Sequence, residues 1–260
     1  MGEVIVITSG KGGVGKTTTT ANLGTALALM GKRVVLLDAD VGLRNLDVAL
    51  GMENKVCYDL VDVIEKKCRL REALLTDKTQ ENLFFLAASQ TRTASDITPE
   101  KMQLLIRELE EQFDYILIDC PAGAGRGFQN AISAAHRAII VTVPEHTAVR
   151  DADKIIDKLE EAGIQKRSLI INRMRPELAA LDAILDVDEI VDWLGAELLG
   201  VIPEDVSVLI SGAKGISVVT LLRSEAGQAF SNTAKRLLGE NIPLLPMKKK
   251  RKGIFKRARK

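Results

Sequence analysis

Aromatic side chains are scarce in this chain, only 3% of 260 residues, although 46% of the residues are hydrophobic. A core must therefore be built from Val, Ile, Leu and Ala, which suits a buried parallel sheet. Cysteine is also sparse. Cys57, Cys68 and Cys120 are odd in number and match no CxxC spacing, so neither a disulfide framework nor a zinc or iron–sulfur site is supported. The three thiols read as small buried residues. His136 and His146, the only histidines, are too isolated to argue for a metal site or a catalytic triad. No apolar run approaches the ~18 residues of a transmembrane helix. The chain enters an apolar strand pattern at once, which leaves no room for a signal peptide, and the expected location is the cytoplasm. No internal repeat is visible, and the length suits one α/β domain.

A net charge of +1 conceals an asymmetry. Residues 248–260 hold nine of the 36 basic residues and no acid, leaving 27 basic against 35 acidic groups, or −8, for the rest. A basic tail on an acidic body implies that the tail has an anionic partner of its own. We therefore expect a catalytic domain over 1–243 and a separate tail over 244–260.

The most specific motif is Gly10-Lys11-Gly12-Gly13-Val14-Gly15-Lys16-Thr17, which follows the apolar run 4–7 and opens a helical pattern over 16–30. A glycine-rich turn between strand and helix lets backbone N–H groups converge on an anion at the positive end of the helix. Two templates fit. Gly10, Gly12 and Gly15 spell the dinucleotide fingerprint, with Asp38 near the position of a ribose-binding acid, whereas Gly10, Gly15, Lys16 and Thr17 spell the triphosphate P-loop. Pyrophosphate can be held by backbone alone, but a terminal phosphate with Mg²⁺ needs a cation and a hydroxyl directly after the loop. Lys16 and Thr17 supply both, and Asp119 closes another apolar run where a metal-shell acid is needed. The longer motif makes a nucleoside triphosphate the expected ligand, with a dinucleotide oxidoreductase as the alternative.

Short apolar runs at 4–7, 34–37, 83–87, 115–118, 138–143, 168–171 and 198–202 predict strands covered on both faces. Helical patterns at 16–30, 99–112, 127–135, 147–162 and 187–194 lie between them, bounded by Pro or Gly where such residues belong. Alternation of this kind predicts an α/β fold, a doubly wound and mostly parallel sheet flanked by helices. Ligands collect at the carboxyl ends of such strands. Asp38, Asp40, Asp119, Asn172 and Arg173 all fall there.

The segment Lys11 to Thr18 resembles the deviant Walker A loop of the MinD/ParA ATPases, in which an extra lysine stands at the position of Lys11. The resemblance continues through 38–47, 118–123, 149–153, 172–173 and 201–205, nearly the whole chain. It implies a P-loop ATPase binding ATP and Mg²⁺. Lys16 would lie on the β- and γ-phosphates, Thr17 and Asp119 would hold Mg²⁺ with Asp38 in the same metal shell, and Asp40 would position the attacking water. Lys11 would reach the partner's phosphates across an ATP-bound homodimer, as an arginine finger does in trans. Thr18 extends the loop, and Asn172, Arg173, Pro203 and Glu204 resemble adenine-binding elements. Regulators would bind near Arg44, Asn45, Asp151 and Asp153, segments expected to sense the γ-phosphate yet face outward. Cys120, in place of a serine, and Ala124-Gly125-Arg126 depart from the family pattern without removing a charged catalytic group.

Within the tail, Ile254, Phe255 and Ala258 would share one face of a helix, beside Lys256 and Arg257. The resemblance implies an amphipathic segment lying on an anionic membrane surface. Nucleic acid is a less favoured partner, because Lys/Arg-rich segments bind either polyanion. The expected activity is a Mg²⁺-dependent ATPase of division-site selection at the cytoplasmic face of the plasma membrane. Its partners would be a division inhibitor (MinC-like) and a topological regulator (MinE- or DivIVA-linked). The alternatives are a DNA-segregation ATPase of ParA type and a flagellar-number regulator.

Overall fold

The computed structural model describes residues 1–246. Eight strands form one sheet: β1 (Glu3–Thr8), β2 (Val34–Asp38), β3 (Leu75–Thr76), β4 (Leu83–Leu86), β5 (Tyr115–Asp119), β6 (Arg137–Thr142), β7 (Lys166–Met174) and β8 (Glu197–Pro203). Their order is β3-β4-β2-β5-β1-β6-β7-β8, and only the β3–β4 pair is antiparallel. All seven expected strands are present. The two-residue β3 was not foreseen, being too short to carry a periodic signal.

Both faces of the sheet are covered, as the unbroken apolar runs require. Val4, Val6, Ile116 and Ile118 point into one core, under the helices Pro99–Glu110, Arg126–Ile132 and His146–Glu161. Ile5, Ile7, Leu36 and Leu117 point into the other, under α1 (Lys16–Leu29) and the helix Glu225–Leu237. α1 has little amphipathic asymmetry because it lies between the sheet and Glu225–Leu237, buried along most of its length. Gly24 permits that close packing, since a Cβ there would overlap the Leu36 side chain.

The helix Glu225–Leu237 is absent from the sequence expectations, as are the short helices Leu46–Ala49, Leu60–Ile64, Leu70–Ala73, Pro176–Ala179 and Val206–Gly212. Cys120 is buried and Cys68 half-buried, but Cys57 is exposed in the connection between Glu53–Lys55 and Leu60–Ile64, so the expectation of three buried thiols fails there. Among the described residues no helix is long and apolar enough to cross a membrane. Leu245, inside the expected tail, packs against the core. Ile254, Phe255, Lys256 and Arg257 lie outside the described residues.

Candidate nucleotide-binding site

Strand register assembles the site. β2 pairs with β5 so that Asp38 lies opposite Asp119, and β1 pairs with β5 so that Ile7 lies opposite Asp119. The phosphate loop leaves β1 beside both acids. Its shape depends on glycine: Gly13 and Gly15 take φ of +79° and +100°, which L side chains rarely adopt. Gly10 meets a further constraint, because a Cβ there would overlap the backbone of Asp151 in the helix His146–Glu161. Gly12 makes no such close approach.

Lys16 is nine-tenths buried at the start of α1 and forms no ion pair among the described residues. A buried cation of this kind needs an anion. The Thr17 hydroxyl bonds Asp119. Thr20 Oγ1 donates to Asp119 Oδ1 at 3.2 Å and to the Lys16 carbonyl at 3.1 Å. Burial raises the Asp119 carboxyl to about 6, against the lowering effects of Thr17, Lys16 and Thr20. Asp38 rises to about 7, first through burial and then through the charge of Asp119. Asp40 is also raised by burial, with Lys16 acting the other way.

Burial and mutual repulsion make three clustered carboxyl groups costly to ionise, and a bound Mg²⁺ would relieve that cost; the oxygens of Asp38, Asp119 and Thr17 with the Lys16 ammonium supply the donor set that Mg²⁺ and a polyphosphate require. Asp38 also has a structural task. Its Oδ1 accepts from Asp40 N at 2.9 Å and its Oδ2 from Leu46 N at 3.2 Å, so it organises the loop that carries Asp40.

Lys11 behaves differently from Lys16. It is 45% exposed, and its Nζ lies 3.3 Å from Glu145 Oε2 and 3.5 Å from Thr147 Oγ1, turned toward the start of the helix His146–Glu161.

Beside the loop, Thr18, Asn172, Arg173, Pro203 and Glu204 line one cavity of about 630 Å³. The expected base-binding residues are thus brought together. Asn172 does more than line it. Its Nδ2 donates to the Val14 carbonyl at 2.8 Å and its Oδ1 accepts from Arg173 N at 3.0 Å, tying the end of β7 to the phosphate loop. Glu204 is ion-paired with Arg175. The far wall, Val206, Val208 and Leu209, comes from the unforeseen helix Val206–Gly212. The neighbouring Asp205 caps that helix, accepting from Ser207 N at 2.8 Å and from Ser224 Oγ at 2.7 Å. An Asp followed by an apolar stretch is a readable cap signal.

The expected regulator surface is only partly outward. Asn45 is exposed, and Asp151 and Asp153 lie half-buried on the second turn of the helix His146–Glu161, Asp151 paired with Lys154. Arg44 does not face outward: its Nε lies 2.6 Å from Asp47 Oδ2, with the two side chains 16% and 1% exposed. Its backbone takes φ of +50° to reach that position. Arg44→Glu is therefore expected to destabilise the protein by about 3 kcal/mol, because it leaves a buried carboxylate facing a like charge. Urea denaturation of the two proteins checks this, and an unchanged midpoint would mean that the pair is dispensable.

Comparison with known proteins agrees with this geometry. A family model described as an AAA domain matches residues 2–172. The septum site-determining protein MinD of Bacillus subtilis is 49% identical over 257 residues, covering 98% of this chain and 96% of its own. The MinC:MinD cell division protein complex of Aquifex aeolicus superposes with a TM-score of 0.88 at 46% identity, covering 93% of this chain and 98% of that one. MinD of Pyrococcus horikoshii OT3, complexed with Mg-ADP, gives 0.83 at 33% identity over 93% of this chain and 100% of that one. A mostly parallel eight-stranded sheet, a P-loop with a second lysine and 49% identity over nearly the whole length of the Bacillus protein agree, and the chain belongs to the MinD family of septum site-determining ATPases.

Proposed function

We propose that this protein is a Mg²⁺-dependent ATPase that dimerises around ATP, docks on the cytoplasmic face of the plasma membrane through residues 244–260, and there recruits a division inhibitor and answers to a topological regulator. The observation that carries the reading is the contrast between its two loop lysines. Lys16 is buried without an ion pair, poised for its own phosphates, while Lys11 is exposed and held by Glu145, available to a second copy. The Mg-ADP complex of the Pyrococcus protein supports the cofactor, and the MinC:MinD complex of the Aquifex protein supports a division inhibitor as partner.

In this reading Thr17 and Asp119 hold Mg²⁺, which when bound neutralises phosphate charge. The backbone of Gly10 to Thr18 cradles the phosphates, and Asn172, Arg173, Pro203 and Glu204 bound the base. Asp40 orients the water that attacks the γ-phosphorus as the bond to the ADP oxygen breaks. Asp40→Ala is expected to slow single-turnover hydrolysis by about 100-fold while leaving nucleotide bound, since no phosphate or metal contact is removed. Unchanged turnover would assign water positioning to another group.

The whole reading is tested by co-sedimentation of the full chain with anionic liposomes and, separately, with duplex DNA, each with ATP and with ADP. ATP-dependent binding to liposomes is the expected result. ATP-dependent binding to DNA in its place would turn the assignment to a DNA-segregation ATPase.

A further inference from the structure

A cleft of about 920 Å³, larger than the base cavity, runs between the short helices Leu60–Ile64 and Leu70–Ala73 on one side and the helix Pro99–Glu110 on the other. It shares no residue with the nucleotide site. Its floor is apolar, with Ile64, Leu70 and Leu105 among its lining, and Leu104 stands 64% exposed at its rim.

The rim is cationic on a body whose other charges sum to an excess of acid. Lys66, Lys67, Arg69, Arg71 and Lys101 all line the cleft. Lys67 is neutralised by Glu65 at 2.6 Å. The other four make no ion pair among the described residues. The acids beside them are partly committed: Glu72 Oε2 accepts from Arg69 N at 2.7 Å, and Glu65 also holds Arg92 at 3.0 Å.

Lys66 is placed there against its own backbone preference. It stands at φ +59°, where the turn after Leu60–Ile64 closes through Lys66 N to the Val63 carbonyl and Lys67 N to the Asp62 carbonyl. Glycine is the usual residue at that position of such a turn, and a lysine held there is strained. Strain at an exposed cation with no local partner directs attention to a partner from outside.

We propose that this cleft is a docking groove for an acidic amphipathic helix of a partner protein. The floor takes the apolar stripe of such a helix, and Lys66, Arg69, Arg71 and Lys101 meet its carboxylates. Nucleic acid suits the groove less well. Glu72 and Glu108 line it and would face phosphates, and the apolar floor has no use for a sugar–phosphate backbone. A planar membrane surface does not enter a recess between two helical walls.

The test uses the full chain and a fluorescein-labelled probe peptide of about five helical turns, with leucine at every third or fourth position and glutamate elsewhere. Anisotropy measures its affinity, and amide hydrogen exchange locates it. Protection over residues 63–72 and 101–112 is the expected result. Arg71→Glu combined with Lys101→Glu should weaken binding at least about tenfold, and Leu104→Asn should weaken it even at salt that screens the charges. Lys78→Glu, a charge reversal elsewhere on the surface, should not. All variants replace exposed side chains, and far-UV circular dichroism verifies their fold.

Protection confined to 248–260, or equal weakening by Lys78→Glu, overturns the proposal in favour of unspecific attraction. An unaffected Leu104→Asn overturns the apolar part of the groove. Duplex DNA that protects the same segments and displaces the peptide replaces the acidic helix with nucleic acid.

Discussion

Lys16→Ala is expected to cut ATP turnover by at least about 100-fold and to remove measurable nucleotide binding, because the loop then has no side-chain cation of its own to balance the phosphates beside three carboxylates. Burial raises the carboxyl groups of Asp38, Asp40 and Asp119, and Lys16 opposes that rise at Asp40 and, after the Thr17 hydroxyl, at Asp119. Lys11→Ala leaves the monomer's nucleotide affinity within about threefold, since an exposed pair with Glu145 is worth little. The expected loss is in ATP-dependent dimerisation instead. Fluorescent-ADP titration and sedimentation velocity with ATP separate the two. A Lys11→Ala protein that dimerises normally removes the role in trans, and a Lys16→Ala protein with unaltered affinity removes the role in cis.

The second large effect is expected at the tail, where Phe255 stands among nine basic residues. Phe255→Glu loses about 2 kcal/mol of apolar burial per tail, so an ATP dimer carrying two tails loses about 4 kcal/mol, close to a thousandfold in liposome affinity. Affinity for duplex DNA depends on neutralised phosphates and falls only modestly, because all nine basic residues remain. Truncation after Pro246 is expected to remove membrane binding and to leave ATP-dependent dimerisation. Liposome binding that survives Phe255→Glu would rule out insertion and leave a purely electrostatic tail or the DNA reading.

The phosphate site is legible in the chain because its chemistry is local. Two glycines at positive φ, a lysine and a threonine sit within eight consecutive residues, and Asp38 and Asp119 each end an unbroken apolar strand, with Asp40 two residues past the first. The helix Glu225–Leu237 was not legible in that way. Its buried face mixes Ala226, Gly227, Ala229 and Ala234 with the polar Asn232 and Thr233 and only two large apolar residues, Phe230 and Leu237, so no run of apolar residues announces it even though Ser224 marks its start. The short helices between β2 and β4 depend on capping by Asp59 and on contacts distant in sequence, such as Leu60 N to the Ala87 carbonyl. Arg44 was misread as outward because its spacing from Asp40 says nothing of Asp47 folding back beneath it. Asn172 was read for the base alone, whereas its contact with Val14 bridges 158 positions of the chain.

The position of β1 in the sheet also governs how the protein is made. Synthesis delivers this central strand long before its two neighbours, β5 and β6, which begin only at Tyr115 and Arg137. At ordinary translation rates the interval is roughly 5 to 20 s. Throughout it, Val4 to Ile7, fully buried in the finished protein, have no strand to pair with. A ribosome-bound chain therefore displays a sticky, β-prone strand before it can hide it, the kind of segment that an early chaperone contact would shield.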